Sequence, residues 1–124
     1  MNTKETKLYV GGPMRGYKDF NFPAFEEATR KLRNIGYIVA NPSEMDSAFG
    51  YSIERLKCMS EKEINTYTRL VFPRDIEAIC NSDGIALLPG WHMSKGSHVE
   101  IATAAAINIP CLSVHEWLAI ANKE

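Results

Sequence analysis

Charge of one sign is the first thing this sequence lacks. Its 124 residues carry 14 Lys and Arg against 15 Asp and Glu, a net charge of −1, which leaves no field to grip a nucleic acid polymer or an anionic membrane. Long apolar runs are absent too, so no stretch approaches the ~20 residues that span a bilayer. The opening Met1-Asn2-Thr3-Lys4-Glu5-Thr6-Lys7 has no apolar signal region, and the protein is expected in the cytoplasm of whatever cell makes it. Cysteine is sparse: Cys58, Cys80 and Cys111 form an odd, scattered set without metal or disulfide-framework spacing. Cys80 and Cys111 have apolar neighbours and are expected to be small buried hydrophobes, with reduced thiols. Neither a Gly-x-Gly-x-x-Gly fingerprint nor a Gly-Lys-Ser/Thr P-loop occurs, and there are no repeats or linkers. The length fits a single domain, 1–124.

What the chain has is an alternation of strand and helix patterns. Leu8-Tyr9-Val10 reads as a strand running into Gly11-Gly12-Pro13, and a helix follows from Pro23 with Phe25, Ala28, Leu32 and Ile35 on one face. Gly36 ends that helix, and Tyr37-Ile38-Val39-Ala40 is a second strand stopped by Asn41-Pro42. Residues 43–72 have poor periodicity, with part of 52–72 helical. A helix is predicted over 73–81, with Pro73 at its start and Ile76, Ile79 and Cys80 facing inward. A strand at 84–88, an Ala-rich helix after Gly96, a strand Cys111-Leu112-Ser113-Val114 and a helix from about His115 complete the chain. The alternation predicts an α/β fold of flavodoxin- or Rossmann-like type, with three layers and a mostly parallel sheet of four or five strands. In such sheets ligands bind beyond the carboxyl ends of the strands, so the turns Gly11–Gly16, Asn41–Met45 and Leu88–Gly96 are expected to line one crevice.

Ser94-Lys95-Gly96-Ser97-His98-Val99-Glu100 is the most informative of these turns. A strand, a polar glycine turn and a helix N-terminus make an anion site from orphan N–H groups and the helix dipole. Glu100 within that field is expected to stay ionised and able to attack an electron-poor carbon. Taken alone, however, Ser97-His98-Val99-Glu100 also spells an ordinary Ser-x-x-Glu capping box.

The turn Gly11-Gly12-Pro13-Met14-Arg15-Gly16 lets a ligand approach the backbone and adds a guanidinium that can fork onto phosphate or carboxylate; a plain Gly-rich loop with a solvated arginine would read the same. Tyr9 is either a half-buried core tyrosine or one whose hydroxyl reaches a carboxylate at the sheet's end. Asp75 falls in the first turn of its expected helix, where the dipole alone would explain an acid. Asp83 would serve as a turn residue. Trp91 and His92 are either surface residues or the wall and edge of a pocket for a flat ring.

Taken in order, the blocks Leu8-Tyr9-Val10-Gly11-Gly12-Pro13-Met14-Arg15-Gly16, Arg74-Asp75-Ile76-Glu77-Ala78-Ile79 with Asp83, and Ser94 to Glu100 resemble the nucleoside 2-deoxyribosyltransferase-like superfamily. The likeness is greatest to its branch of nucleoside-5′-monophosphate N-glycosidases and small phage-type proteins. That resemblance implies cleavage or exchange of the N-glycosidic bond of a nucleoside or its 5′-monophosphate, without metal or cofactor. It gives Glu100 the part of nucleophile on the anomeric carbon, Asp75 that of the acid for the leaving base with Asp83 as second choice, and Tyr9 that of orienting the nucleophile. Gly12, Arg15 and Gly16 then contact the sugar and its 5′-phosphate, and Ser94 the phosphate; Met14, Gly96, Ser97 and His98 lie in the same turns as candidate contacts, beside Trp91 as the candidate wall for a flat ring. A homodimer or larger assembly is also implied, with Phe49, Tyr51 and Leu56 as candidate contacts.

The chain departs from that pattern at Ser97 and His98, where another glycine is usual, and at 43–72, a longer connection that would be a lid, a dimerisation arm or a specificity loop. A second reading keeps the crevice but not the chemistry: it holds a nucleotide or nucleotide-derived signal, with Glu100 only a capping residue.

Overall fold

Leu8, Tyr9 and Val10 are all buried, which a strand achieves only when both faces of its sheet are covered. The computed structural model describes residues 2–123. In it β1 (Lys7–Gly11) lies between β2 (Ile38–Ala40) and β3 (Gly84–Leu87), and β4 (Cys111–Ser113) flanks β3. Every pair is parallel, with Tyr9 opposite Ala40 on one side and Ile85 on the other.

Side chains alternate across the sheet. Leu8 and Val10 pack with Phe25 and Leu32 of α1 (Phe22–Asn34) and Trp117 of α6 (Val114–Ala121). Tyr9, Ile85 and Leu87 face the other way, onto Ile79 of α4 (Glu61–Cys80) and Ala104 of α5 (Lys95–Ala106). Each large apolar side chain so buried contributes about 1.5–3 kcal/mol. The result is the expected three-layer α/β architecture, with four strands. The Trp117 indole donates to the Ile85 carbonyl at 2.8 Å, and a Cβ added at Gly84 would come within 2.6 Å of its ring. That close approach is why glycine begins β3.

From β1 the chain passes through α1 to β2. It returns by α2 (Pro42–Ala48), α3 (Ile53–Lys57) and α4 to β3 on the opposite side of β1. The two crossovers diverge between β1 and β3, opening a crevice at the carboxyl ends of those strands.

Three expectations need correction. The helix placed over 73–81 starts at Glu61, where Ser60 and Glu63 form a full capping box, and Pro73 lies inside it. An interior proline costs roughly 3 kcal/mol of helix stability; here Ile64, Tyr67, Val71 and Ile79, all buried along α4, offset it. Cys80 is exposed, and Cys111 is only partly buried. Leu56 belongs to an interior cluster with Phe22, Ile64, Tyr67 and Val71, so of the residues assigned to a partner contact only Phe49 is clearly exposed. Among the described residues no helix is long and apolar enough to cross a membrane.

Candidate active site

At the crevice the chain leaves β1 through Gly11-Gly12-Pro13, and α5 begins beside it. A cavity of about 630 Å³ opens there, a size suited to a small organic ligand. All three expected turns contribute: Gly12, Met14, Arg15 and Gly16 from the first, Pro42 from the second, Ser94 and Gly96 from the third, with Ser97 just past it. The fourth wall is α4, through Ile64, Tyr67, Val71 and Asp75.

Tyr9 and Glu100 form the floor. The Tyr9 hydroxyl donates to Glu100 Oε2 at 2.6 Å, a buried bond. Glu100 Oε1 lies on the Gly11 side, where a Cβ would stand 3.2 Å from it. A side chain at Gly11 would crowd that oxygen, whereas glycine leaves it open to the cavity. Burial pushes the Tyr9 phenol well above its usual range, and the nearby Glu100 and Asp75 charges add to this. Tyr9 therefore remains a donor.

The capping expectation for Glu100 is overturned. α5 is capped by Ser94, whose Oγ accepts from the Ser97 amide at 3.1 Å. Glu100 thus falls beyond the first turn, where the dipole has largely faded. Nor is its carboxyl held ionised: burial, helped by the Asp75 charge and opposed by the Tyr9 hydrogen bond, pushes it up to about 8. Desolvation outweighs the helix field here. The Ser97 hydroxyl, freed from capping, is buried without a hydrogen-bond partner among the described residues, and Ser97 lines the cavity.

Asp75 reaches the cavity from α4, far from that helix's first turn, so the dipole explanation for it fails as well. Burial pushes its carboxyl up to about 6, against the pull of the adjacent Arg74. Arg74 donates to Asp75 Oδ1 from Nε at 3.0 Å and from Nη2 at 2.6 Å. The same Nη2 meets Asp46 Oδ1 of α2 at 2.6 Å, and the Tyr67 hydroxyl donates to Asp46 Oδ2.

Asp46, Tyr67 and Arg74 were given no role by sequence reasoning. The signal available was the capping box at Ser60, which starts α4 early and puts Tyr67 and Arg74 two turns apart on one face.

Other expected site residues lie elsewhere. Asp83 Oδ2 accepts from the Lys7 amide at 2.8 Å, at the amino ends of β1 and β3, so Asp83 cannot be a second acid in this cavity. Trp91 packs against the Tyr9 and Ile85 cluster and does not line the cavity. His98 is exposed and donates from Nε2 to the His92 carbonyl at 2.7 Å, which draws it away from a phosphate position. Arg15 lines the cavity, with its guanidinium donating to Asn65 of α4. Among the described residues no group of three or more His, Cys, Asp or Glu could hold a metal ion.

The chain belongs to the family described as a domain of unknown function (DUF4406), whose model matches residues 6–113. The match spans β1 to β4 and with them every wall of the cavity. No curated protein matches the chain significantly.

Proposed function

We propose that this cavity cleaves or exchanges the N-glycosidic bond of a nucleoside or nucleoside 5′-monophosphate through a glycosyl intermediate on Glu100. The observation that carries the reading is the buried Tyr9 to Glu100 hydrogen bond of 2.6 Å, in a cavity that also presents Asp75. Two carboxyl groups in different environments are what retaining glycosyl transfer uses. The resemblance of the three sequence blocks to the nucleoside 2-deoxyribosyltransferase-like superfamily supports it further.

Glu100 Oε1 bonds to the anomeric carbon as the bond from that carbon to the base nitrogen breaks. The electron pair of the broken bond goes to the base, which takes a proton from Asp75. Water, or a second base, then displaces Glu100, with Asp75 receiving the proton lost by the acceptor. The Tyr9 donor offsets negative charge on Glu100 at each return to carboxylate. Ser94, Gly96 and Ser97 at the α5 N-terminus, with Arg15 opposite, would take the phosphate end.

Burial raises the proton affinity of both carboxyls, Asp75 to about 6 and Glu100 to about 8, so near neutrality the pair carries the one proton this chemistry needs. A bell-shaped rate profile with limbs near 6 and 8 is expected, belonging to the pair rather than to either residue.

That same proton favours a second reading. A neutral Glu100 is a good hydrogen-bond donor for a ligand that is held and not turned over. Incubating wild type and Glu100→Gln with ribo- and deoxynucleosides and their 5′-monophosphates, with and without an acceptor base, separates the two. Base released or exchanged by wild type alone supports the enzyme; ligand-dependent stabilisation of both proteins without release supports the binder.

A further inference from the structure

Asp46, Tyr67 and the half-buried Arg74 form a polar network that the proposed chemistry does not use. Asp46 is nearly fully buried and comes from α2, while Tyr67 and Arg74 come from α4. An isolated carboxylate at that depth would be costly, so its pairing calls for a reason.

The geometry supplies one. Both Arg74 bonds to Asp75 fall on Oδ1, and Arg74 is itself fixed by Asp46, which Tyr67 holds from the other oxygen. Asp75 Oδ2 has no protein hydrogen-bond partner among the described residues. An oxygen that accepts two N–H bonds has little affinity for a proton, so the proton of Asp75 belongs on Oδ2.

Building on the glycosyl-transfer reading above, we propose that Arg74 and Asp46 are positioning residues that clamp Asp75 by Oδ1 and present Oδ2, with its proton, to the leaving base. The segment 43–72 is therefore part of the working site: it supplies Asp46 and Tyr67 and thus the orientation of the acid.

The groups that face Asp75 are Arg74 and Tyr67 on its own helix, Asp46 on α2, and Glu100 with Tyr9 across the cavity. Arg74 lowers the proton affinity of Asp75 and Asp46 raises it. Their removal must therefore act in opposite directions, which no general loosening of the fold would produce.

The test is a carbon-13 NMR titration of the aspartate carboxyls in ligand-free protein, with Asp75 assigned by Asp75→Asn. Arg74→Met is expected to move the Asp75 midpoint up and the near-isosteric Asp46→Asn to move it down, with Arg74→Lys close to wild type. In turnover assays the acidic limb of the profile should move the same way, and Asp46→Asn and Arg74→Lys should lower kcat at least tenfold with little change in KM. Equal midpoints in wild type, Arg74→Met and Asp46→Asn, or shifts of one sign in both variants, would overturn the clamp. If Arg74→Met does not fold, Asp46→Asn decides alone by the direction of its shift. The titration needs no substrate, so absence of turnover in wild type defeats the glycosyl reading without touching this measurement.

Discussion

Ser-x-x-Glu occurs three times in the chain: Ser60–Glu63 and Ser113–Glu116 cap helices, while Ser97–Glu100 ends in the opposite environment. At Ser60–Glu63 the motif caps α4: the Ser60 Oγ accepts from the Glu63 amide at 3.2 Å and Glu63 Oε1 accepts from the Ser60 amide at 3.0 Å. The exposed Glu63 is held below its usual range by those bonds. At Ser97–Glu100 the cap has moved to Ser94, and the glutamate turns inward to Tyr9, with its proton affinity raised by burial. Four residues can express a capping preference, but a sheet packed against one side of them decides whether the carboxyl stays in water. The glutamate whose local role failed is the one in the cavity.

The largest test of that contrast is turnover. Glu100→Gln keeps shape and hydrogen-bonding capacity but cannot form the glycosyl bond, so the rate should fall by about 10³ or more, roughly 4 kcal/mol of barrier. Glu63→Gln should leave it unchanged, because glutamine serves equally in a capping box. Comparable rates in the two variants would erase the distinction.

Stability against pH comes next. The folded protein keeps a proton on Glu100 up to about pH 8, while the free carboxyl loses it near 4.5. Across that window the folded state binds more protons, and stability falls as pH rises. Glu100→Gln removes the penalty. Its gain over wild type should be absent below about pH 4.5 and reach on the order of several kcal/mol above pH 8, read from urea midpoints at both pH values. A gain that does not depend on pH would mean that Glu100 is not held neutral.

Smaller effects locate the caps. Ser94→Ala should cost about 1 kcal/mol and Ser60→Ala about the same. Ser97→Ala should be neutral or slightly stabilising, since its buried hydroxyl has no partner to lose among the described residues, while ligand affinity drops. If Ser97→Ala were the costlier change in thermal melts, Ser97 would be the cap after all.

Much of the frame could be read in advance. The positions of β1, α1, β3 and α5 follow from apolar period and from Gly and Pro punctuation, and Tyr9, Glu100 and the Gly11–Gly16 turn came together as expected. Asp83 was legible and misassigned: a residue directly before β3 sits at its amino end, and in the parallel sheet expected from the sequence that end lies opposite the crevice. The clamp stayed hidden for a different reason. Pro73 is a strong helix-start signal that tertiary contacts overrode, and with α4 begun in the wrong place, Tyr67 and Arg74 were not seen on one face. Asp46 meets them across 28 positions to Arg74 and 21 to Tyr67, distances at which no periodicity operates.

Tyr9 and Glu100 are 91 positions apart, on a central strand and on the last helix before β4. Their meeting closes most of the chain into one loop, and such non-local closures are late events when parallel sheets assemble. On refolding, helical signal should return first and ligand binding only with the final phase. The cavity thus acts as the molecule's own proofreader: a chain that has paired β1 with the wrong neighbour has no floor to its pocket and nothing with which to bind.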